Sequence, residues 1–162
     1  MLTAMLAALL STARVDAAPR PDRAEIERGE YLVNLLACGR CHTEGYLTGQ
    51  TPTGPLLAGS QIGIAYSSYE GEQEKPGLVF APNLTPHAET GIGQWSRDDI
   101  VNAMRTGLSK DGHQNLPVMP SANYATLKKA DLRAIAAYLK HIPAVERAIP
   151  ARTVPGSSST HR

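Results

Sequence analysis

The sequence predicts an all-α domain in which short helices are joined by long irregular loops. Three segments carry apolar residues at helical spacing, and about fifty residues between the first and the second show little periodicity. The 162 residues include 14 Gly and 12 Pro, which favours loops over long helices. A loop of that length in a compact domain usually surrounds a functional site or a bound group.

The first predicted helix spans residues 23–37. Ile26, Val33 and Leu36 share one of its faces with Gly29. A glycine inside a helix costs about 1 kcal/mol relative to alanine. The cost suggests that another element approaches closely at Gly29, although an exposed turn that tolerates glycine would look the same.

The second predicted helix begins at Ser96, where Ser96-Arg97-Asp98-Asp99 resembles a capping box with Asp in place of Glu. Gly107 closes it. The last helix spans about residues 128–141, has an apolar stripe that includes Leu132 and Leu139, and is ended by Pro143.

The two chain ends differ in composition from the segment between them. Residues 1–18 are predicted to be a secretory signal peptide with a weak basic region, although an amphipathic or disordered N-terminus would fit as well. Export would place the protein in the periplasm. Residues 19–143 form the predicted domain, and residues 144–162, rich in Pro, Gly and Ser, are predicted to be disordered.

Net charge and hydropathy bear on whether the chain binds nucleic acid or spans a membrane. The chain has 16 Lys plus Arg against 15 Asp plus Glu, so its composition does not indicate nucleic-acid binding. The N-terminal apolar run is too short to span a bilayer, and no later stretch reaches that length. The mature chain is therefore predicted to have no transmembrane span.

Cys38-Gly39-Arg40-Cys41-His42 is the most informative motif in the chain. A thioredoxin-like redox pair would sit in a βαβ pattern, which is missing here, and a structural zinc site would need a second pair of ligands at short spacing. Covalent attachment of one haem c explains each position. The two thiols bind the haem vinyl groups, and His42 is carried under the ring as an iron ligand.

A second axial ligand is expected if the iron only exchanges electrons. Met104 lies one helical turn after Ile100, which is typical of a core residue. Met119 lies in the Leu116–Pro120 loop, which has proline on both sides and cannot be helical. Met119 is the predicted ligand, with loop packing as its alternative role. The rival His113 follows Asp111-Gly112, a pattern typical of an exposed turn.

These motifs, taken in order, resemble the class I cytochrome c family. The resemblance rests on Cys38–His42, Asn83-Leu84-Thr85-Pro86, the stretch from Glu89 to Ser96, Met119-Pro120 and the Asp131–Leu139 stretch. It is strongest to the haem domains of the cytochrome subunits of bacterial membrane-associated alcohol, aldehyde and gluconate dehydrogenases. It implies a class I fold in which the N- and C-terminal helices cross, with Gly29 facing the Tyr138 region.

The resemblance also implies roles around the haem. Trp95 would donate its indole N–H to a haem propionate, and Asn83 or Thr85 would lie near the same edge. Pro55 would belong to the loop whose carbonyl accepts the His42 Nδ1 proton. The alternatives are a core indole for Trp95 and a self-capping turn residue for Asn83.

Three departures from the family pattern stand out. His87 replaces an expected acid, either as a plain surface residue or as a proton-linked site. Lys128 occupies a helix N-cap where relatives carry Ser or Asp, which leaves Asp131 to support the helix start. The chain carries one haem motif, whereas relatives often carry three haem domains.

The function predicted from these residues is single-electron transfer without catalysis. The expected partners are a periplasmic dehydrogenase as donor and a terminal oxidase or another cytochrome as acceptor. Two alternatives stay open. The chain could be the cytochrome subunit of a larger dehydrogenase, or a haem enzyme or sensor in which Met119 is labile.

Overall fold

The computed structural model of the chain describes residues 20–66 and 77–152. The predicted signal peptide, residues 1–18, lies outside the described residues. The helices are α1 (Arg23–Leu35), α2 (Cys38–His42), α3 (Arg97–Thr106), α4 (Ser121–Tyr124) and α5 (Lys129–His141), with a 3-10 turn at Tyr46–Thr48. Strands β1 (Ile64–Tyr66) and β2 (Gly77–Val79) form an antiparallel pair in which Ile64 lies opposite Val79.

The first helix ends earlier than predicted. Asp22 caps its start, with the side-chain carboxylate accepting from the Glu25 backbone N–H at 2.7 Å. At the other end Ala37 adopts the left-handed conformation, with φ of 55°. This residue separates α1 from α2, so the haem motif begins a helical turn of its own.

The first and last helices pack against each other at Gly29, as the family resemblance implies. A Cβ added at Gly29 would lie 2.0 Å from the Ala134 carbonyl oxygen and 2.7 Å from the Tyr138 Cβ. Only glycine allows this approach, because the nearest atoms belong to backbone that cannot move aside. Both helices contribute buried residues to the hydrophobic core, among them Leu32 of α1 and Leu132 and Ile135 of α5.

The α3 helix is tied to both of these helices. Ser96 and Asp99 form the predicted capping box, and Gly107 ends the helix in the left-handed conformation, with φ of 72°. The Arg97 guanidinium pairs with Glu25 of α1 and donates to the Arg133 carbonyl of α5 at 3.2 Å. The mainly helical fold is thus confirmed, with one small strand pair added.

The long loop (residues 43–95, described except for 67–76) contains that strand pair, which the sequence pattern did not predict. Three-residue strands are too short to produce a clear alternation of apolar and polar residues. The α4 helix was missed for the same reason, since it is a single turn of four residues.

The predicted disorder from residue 144 onward is wrong for residues 144–152, here called the C-terminal strap. The Val145 N–H donates to Thr85 Oγ1 at 3.0 Å, and the Arg147 N–H donates to Thr90 Oγ1 at 3.0 Å. Arg147 also pairs with Glu44 at 2.6 Å. These long-range partners order the strap, which has one Pro and no Gly or Ser, because the Gly and Ser residues of the 144–162 tail all lie after residue 152. Residues 153–162 lie outside the described residues.

Candidate functional site

The motif residues lie together on α2, a helix of five residues. Cys38 and Cys41 are both partly buried and are not joined in a disulfide. Cys38 also packs against the hydrophobic core, as does Met119. Burial raises the pKa of the Cys38 thiol to about 11, so this thiol is neutral at pH 7. One helical turn thus presents two thiols and an imidazole.

His42 is held in one tautomer by its surroundings. Its side chain is buried, and Nδ1 lies 2.8 Å from the Pro82 carbonyl oxygen. A carbonyl can only accept, so Nδ1 carries the proton and Nε2 keeps its lone pair. Burial lowers the pKa of His42, which favours the neutral imidazole. This is the form that binds a metal ion.

The prediction that Pro55 supplies this carbonyl is wrong. The Pro55 carbonyl instead accepts from the Ala58 N–H at 3.3 Å, within a local turn. The acceptor for His42 is Pro82, forty residues further along the chain. Counting a short distance from the motif could not find it, because the chain passes through the strand pair before Pro82 reaches the imidazole.

The candidate second ligand lies in a turn that precedes α4. Met119 is partly buried, and its N–H donates to the Leu116 carbonyl at 2.9 Å. Met104 is buried in the core, as predicted. His113 is exposed in a turn closed by the Gly112 N–H and the Ser109 carbonyl at 3.0 Å. The two rival side chains thus have the environments that their sequence contexts predict.

Tyr124 is a buried residue near the motif that sequence reasoning missed. Burial raises its pKa to about 12, and the neighbouring Cys38 and Cys41 add to this shift. Tyr124 belongs to the core cluster against which Cys38 and Met119 pack. The signal that could have found it is the Met-Pro loop followed within a few residues by an aromatic side chain.

The segment that carries Trp95 is held by two lysines. Lys140 Nζ donates to three carbonyls, those of Ile92 at 3.1 Å, Gly93 at 2.6 Å and Trp95 at 2.9 Å. Lys110 Nζ donates to the remaining one, that of Gln94, at 2.8 Å. Burial lowers the pKa of Lys140, with a smaller contribution from Lys110. The side chain of Trp95 is partly buried and packs against the core.

Asn83 and Thr85 hydrogen-bond to each other and to the strap. Asn83 Oδ1 accepts from the Thr85 N–H at 2.9 Å and from Thr85 Oγ1 at 2.7 Å. Asn83 Nδ2 donates to the Val145 carbonyl at 2.8 Å. Both side chains are buried. The Asn83 side chain therefore makes the local bond expected of a self-capping turn residue and adds a bond to the strap.

His87 has a local role in the structure. Its Nδ1 accepts from the Thr90 N–H at 3.2 Å and lies 2.9 Å from Thr90 Oγ1. The side chain is partly exposed.

In the described ranges, 20–66 and 77–152, no helix is long and apolar enough to cross a membrane.

The domain is mainly helical, and one of its turns carries two thiols and an imidazole held in one tautomer. These features are typical of a haem-attachment domain. The chain matches the Cytochrome c family over residues 26–143 and belongs to that family. Membership implies covalently bound haem c, and Cys38, Cys41 and His42 supply the attachment motif. Haem binding and electron transfer are the functions of this family.

Several curated relatives are subunits of larger enzymes. The chain is 38% identical over 120 residues to the alcohol dehydrogenase (quinone) cytochrome c subunit of Gluconobacter oxydans, which covers 74% of this chain and 22% of the relative. It is 35% identical over 144 residues to the gluconate 2-dehydrogenase cytochrome c subunit of Pantoea cypripedii, covering 87% and 29%.

A third relative has a different kind of name. The chain is 36% identical over 124 residues to a diheme cytochrome c-type protein of Cereibacter sphaeroides, covering 76% of this chain and 38% of the relative. The chain therefore spans between about a fifth and two fifths of the length of these three relatives.

Proposed function

We propose that the chain is a monohaem c-type cytochrome of class I arrangement that carries single electrons in the periplasm. Its donor would be a dehydrogenase, and its acceptor a terminal oxidase or another cytochrome. The observation that carries the proposal is the hydrogen bond from His42 Nδ1 to the Pro82 carbonyl, because it leaves Nε2 free to bind iron. The single Cys-x-x-Cys-His motif supports one haem per chain.

Five residues of the chain would hold the haem in different roles. Cys38 and Cys41 would form the two thioether bonds, and His42 would be the proximal ligand. Met119 would be the distal ligand, held by the turn that begins at Leu116. Trp95 would donate to a haem propionate from a segment whose carbonyls are fixed by Lys110 and Lys140.

Electron transfer follows from the proposed ligands. When bound, the haem supplies a one-electron couple, and ligation by His and Met raises its reduction potential. With His42 and Met119 both bound to the iron, no position would be left for a substrate. The chain would then set the potential through burial and hydrogen bonds.

Paired substitutions of the two methionines test the distal ligand. In the haem-loaded protein we expect Met119→Leu to abolish the near-infrared band of a methionine–ferric haem bond, to lower the reduction potential and to admit cyanide rapidly. Met104→Leu is the matched control, because it changes a buried methionine without removing a ligand. It should leave all three properties unchanged.

Other outcomes would overturn the assignment. A wild-type protein that lacks this band, and that admits cyanide rapidly in His113→Ala but not in Met119→Leu, would make His113 the ligand. A wild-type protein that binds cyanide rapidly and turns over peroxide would favour the haem enzyme or sensor. A chain that carries no covalent haem after expression with haem-attachment machinery would reject the proposed function.

The second candidate function is that of a cytochrome subunit in a dehydrogenase complex. The names of the alcohol and gluconate dehydrogenase relatives favour it. Purification of the native protein under mild conditions distinguishes the two roles. A dehydrogenase at equal stoichiometry identifies a subunit, whereas a lone protein that is reduced by added dehydrogenase identifies a carrier.

A further inference from the structure

The hydrogen bond between His42 and Pro82 joins two segments that both contact the C-terminal strap. On the donor side, Glu44 lies two residues after His42. Its Oε2 accepts from Arg147 Nη2 at 2.6 Å and from the Gln61 N–H at 2.8 Å. The strap is therefore attached to the segment that follows the imidazole.

On the acceptor side, the strap is attached to Asn83, the residue that directly follows the Pro82 carbonyl. Asn83 N belongs to the same rigid peptide plane as the Pro82 carbonyl. The Asn83 side chain is 2% exposed, and Nδ2 donates to the Val145 carbonyl at 2.8 Å. Thr85 Oγ1 accepts from the Val145 N–H at 3.0 Å. Two hydrogen bonds to one strap residue thus fix the turn that carries the acceptor.

The strap also packs closely against the backbone at Gly59, which lies between these two attachments in the sequence. The Gly59 N–H donates to the His42 carbonyl at 2.9 Å, and Gly59 has a φ of +85°. A Cβ at Gly59 would lie 2.7 Å from the Ile149 side chain and 2.9 Å from Asn83 N. Ile149, Gly59 and Asn83 are therefore in close contact.

We propose that the C-terminal strap positions the Pro82 carbonyl for His42 and thereby lowers the reduction potential of the haem. The inference rests on the proposed function, in which His42 binds the iron. A well-formed hydrogen bond to a carbonyl raises the basicity of the imidazole. A more basic ligand stabilises the ferric state, so loss of the strap raises the potential. The strap lies beyond residue 143, where the family match ends.

Two truncations of the haem-loaded protein test this proposal. A chain that ends at Pro143 lacks the strap, whereas a chain that ends at Arg152 keeps it and is the matched control. NMR gives the exchange rate of the His42 Nδ1 proton, and spectroelectrochemistry gives the potential. In the chain that ends at Pro143, the His42 Nδ1 proton should exchange about tenfold faster, because one hydrogen bond is lost. The reduction potential should rise. Ending at Arg152 should change neither property.

A second pair of variants keeps the test valid if the shorter chain folds poorly. Thr85→Val removes the hydroxyl that accepts from the Val145 N–H and donates to Asn83 Oδ1, so it detaches the strap from the turn that carries Pro82. It preserves the shape of the side chain, whereas Thr85→Ser keeps the hydroxyl. The valine variant should show faster exchange and a higher potential, and the serine variant should resemble the wild type.

The sign of the potential shift separates positioning from simple loosening. Opening the site to water would stabilise the more highly charged ferric state and lower the potential. The role of the strap would be overturned if Thr85→Val left the exchange rate of the His42 Nδ1 proton unchanged or lowered the reduction potential. In that case haem attachment and the methionine band would persist. A full-length chain without covalent haem would instead overturn the proposed function.

Discussion

The helix pair α1–α5 and the long loop are stabilised by different means. The helices contribute apolar side chains to the core, such as Leu32 and Ile135, and approach each other closely at Gly29. In the described part of the chain, the buried polar or charged residues all lie between positions 42 and 85. They are His42, the last residue of α2, and Thr43, Ser60, Asn83 and Thr85 of the long loop.

Each of these buried polar side chains has a hydrogen-bond partner. Thr43 Oγ1 accepts from the Leu57 N–H at 3.0 Å, and Ser60 Oγ accepts from the Ile62 N–H at 3.1 Å. A helix satisfies its own backbone, so its side chains are free to be apolar. An irregular loop leaves backbone groups without regular partners, and buried side chains must supply them.

The largest effect should come from the helix pair. Gly29→Ala is expected to lower the free energy of unfolding by about 3 kcal/mol, because its Cβ would overlap the Ala134 backbone. Gly49→Ala is the control. Gly49 has a φ of +72° with nothing within 4 Å, so alanine should cost only about 1 kcal/mol. Equal costs in chemical denaturation would contradict a tight helix contact.

A smaller effect should come from the link between the two regions. Lys140→Met removes the donor for three carbonyls of the Ile92–Trp95 segment and is expected to cost about 2 kcal/mol. Lys129→Met, at an exposed position in the first turn of the same helix, should change stability by less than about 0.5 kcal/mol. If both variants unfold at the same denaturant concentration, the segment does not depend on Lys140.

The start of α5 offers a gain in stability. Lys128 is the N-cap residue and makes no side-chain capping bond. Lys128→Ser should raise the free energy of unfolding by about 1 kcal/mol, because the hydroxyl can accept from the first turn. Lys128→Ala supplies no acceptor and serves as the control. A denaturation midpoint that stays the same or falls in the serine variant would reject this expectation.

The smallest effect concerns pH and the capping box of α3. The Ser96 backbone N–H donates to Asp99 Oδ2 at 2.8 Å, and this bond lowers the pKa of Asp99 below its ordinary value of 3.8, with further contributions from the Ser96 side chain and Lys110. The resulting stability is present above the ordinary value and is lost as pH falls through the lowered pKa. Asp99→Asn should therefore be less stable than wild type at pH 7, and the difference should shrink in acid. A difference that is constant with pH would show that the charge has no part in it.

Local sequence patterns determined most of the helical framework and the centre of the candidate site. The family resemblance implied the partner of Gly29. The Cys38–His42 motif and the capping box at Ser96 predicted their own helical turns, because short spacings within a helix decide which residues share a face or a turn. The contrast between Met104 in the core and Met119 in a proline-bounded turn was predicted for the same reason.

Tertiary structure decided which distant groups complete these local units. Pro82, not Pro55, accepts from His42, and Asn83 and Thr85 bind the strap. Lys140 reaches carbonyls more than forty residues earlier in the chain. Such pairings depend on where the long loop and the strap return in space. A carbonyl is present at every residue, so the sequence carries no local signal for which one is used.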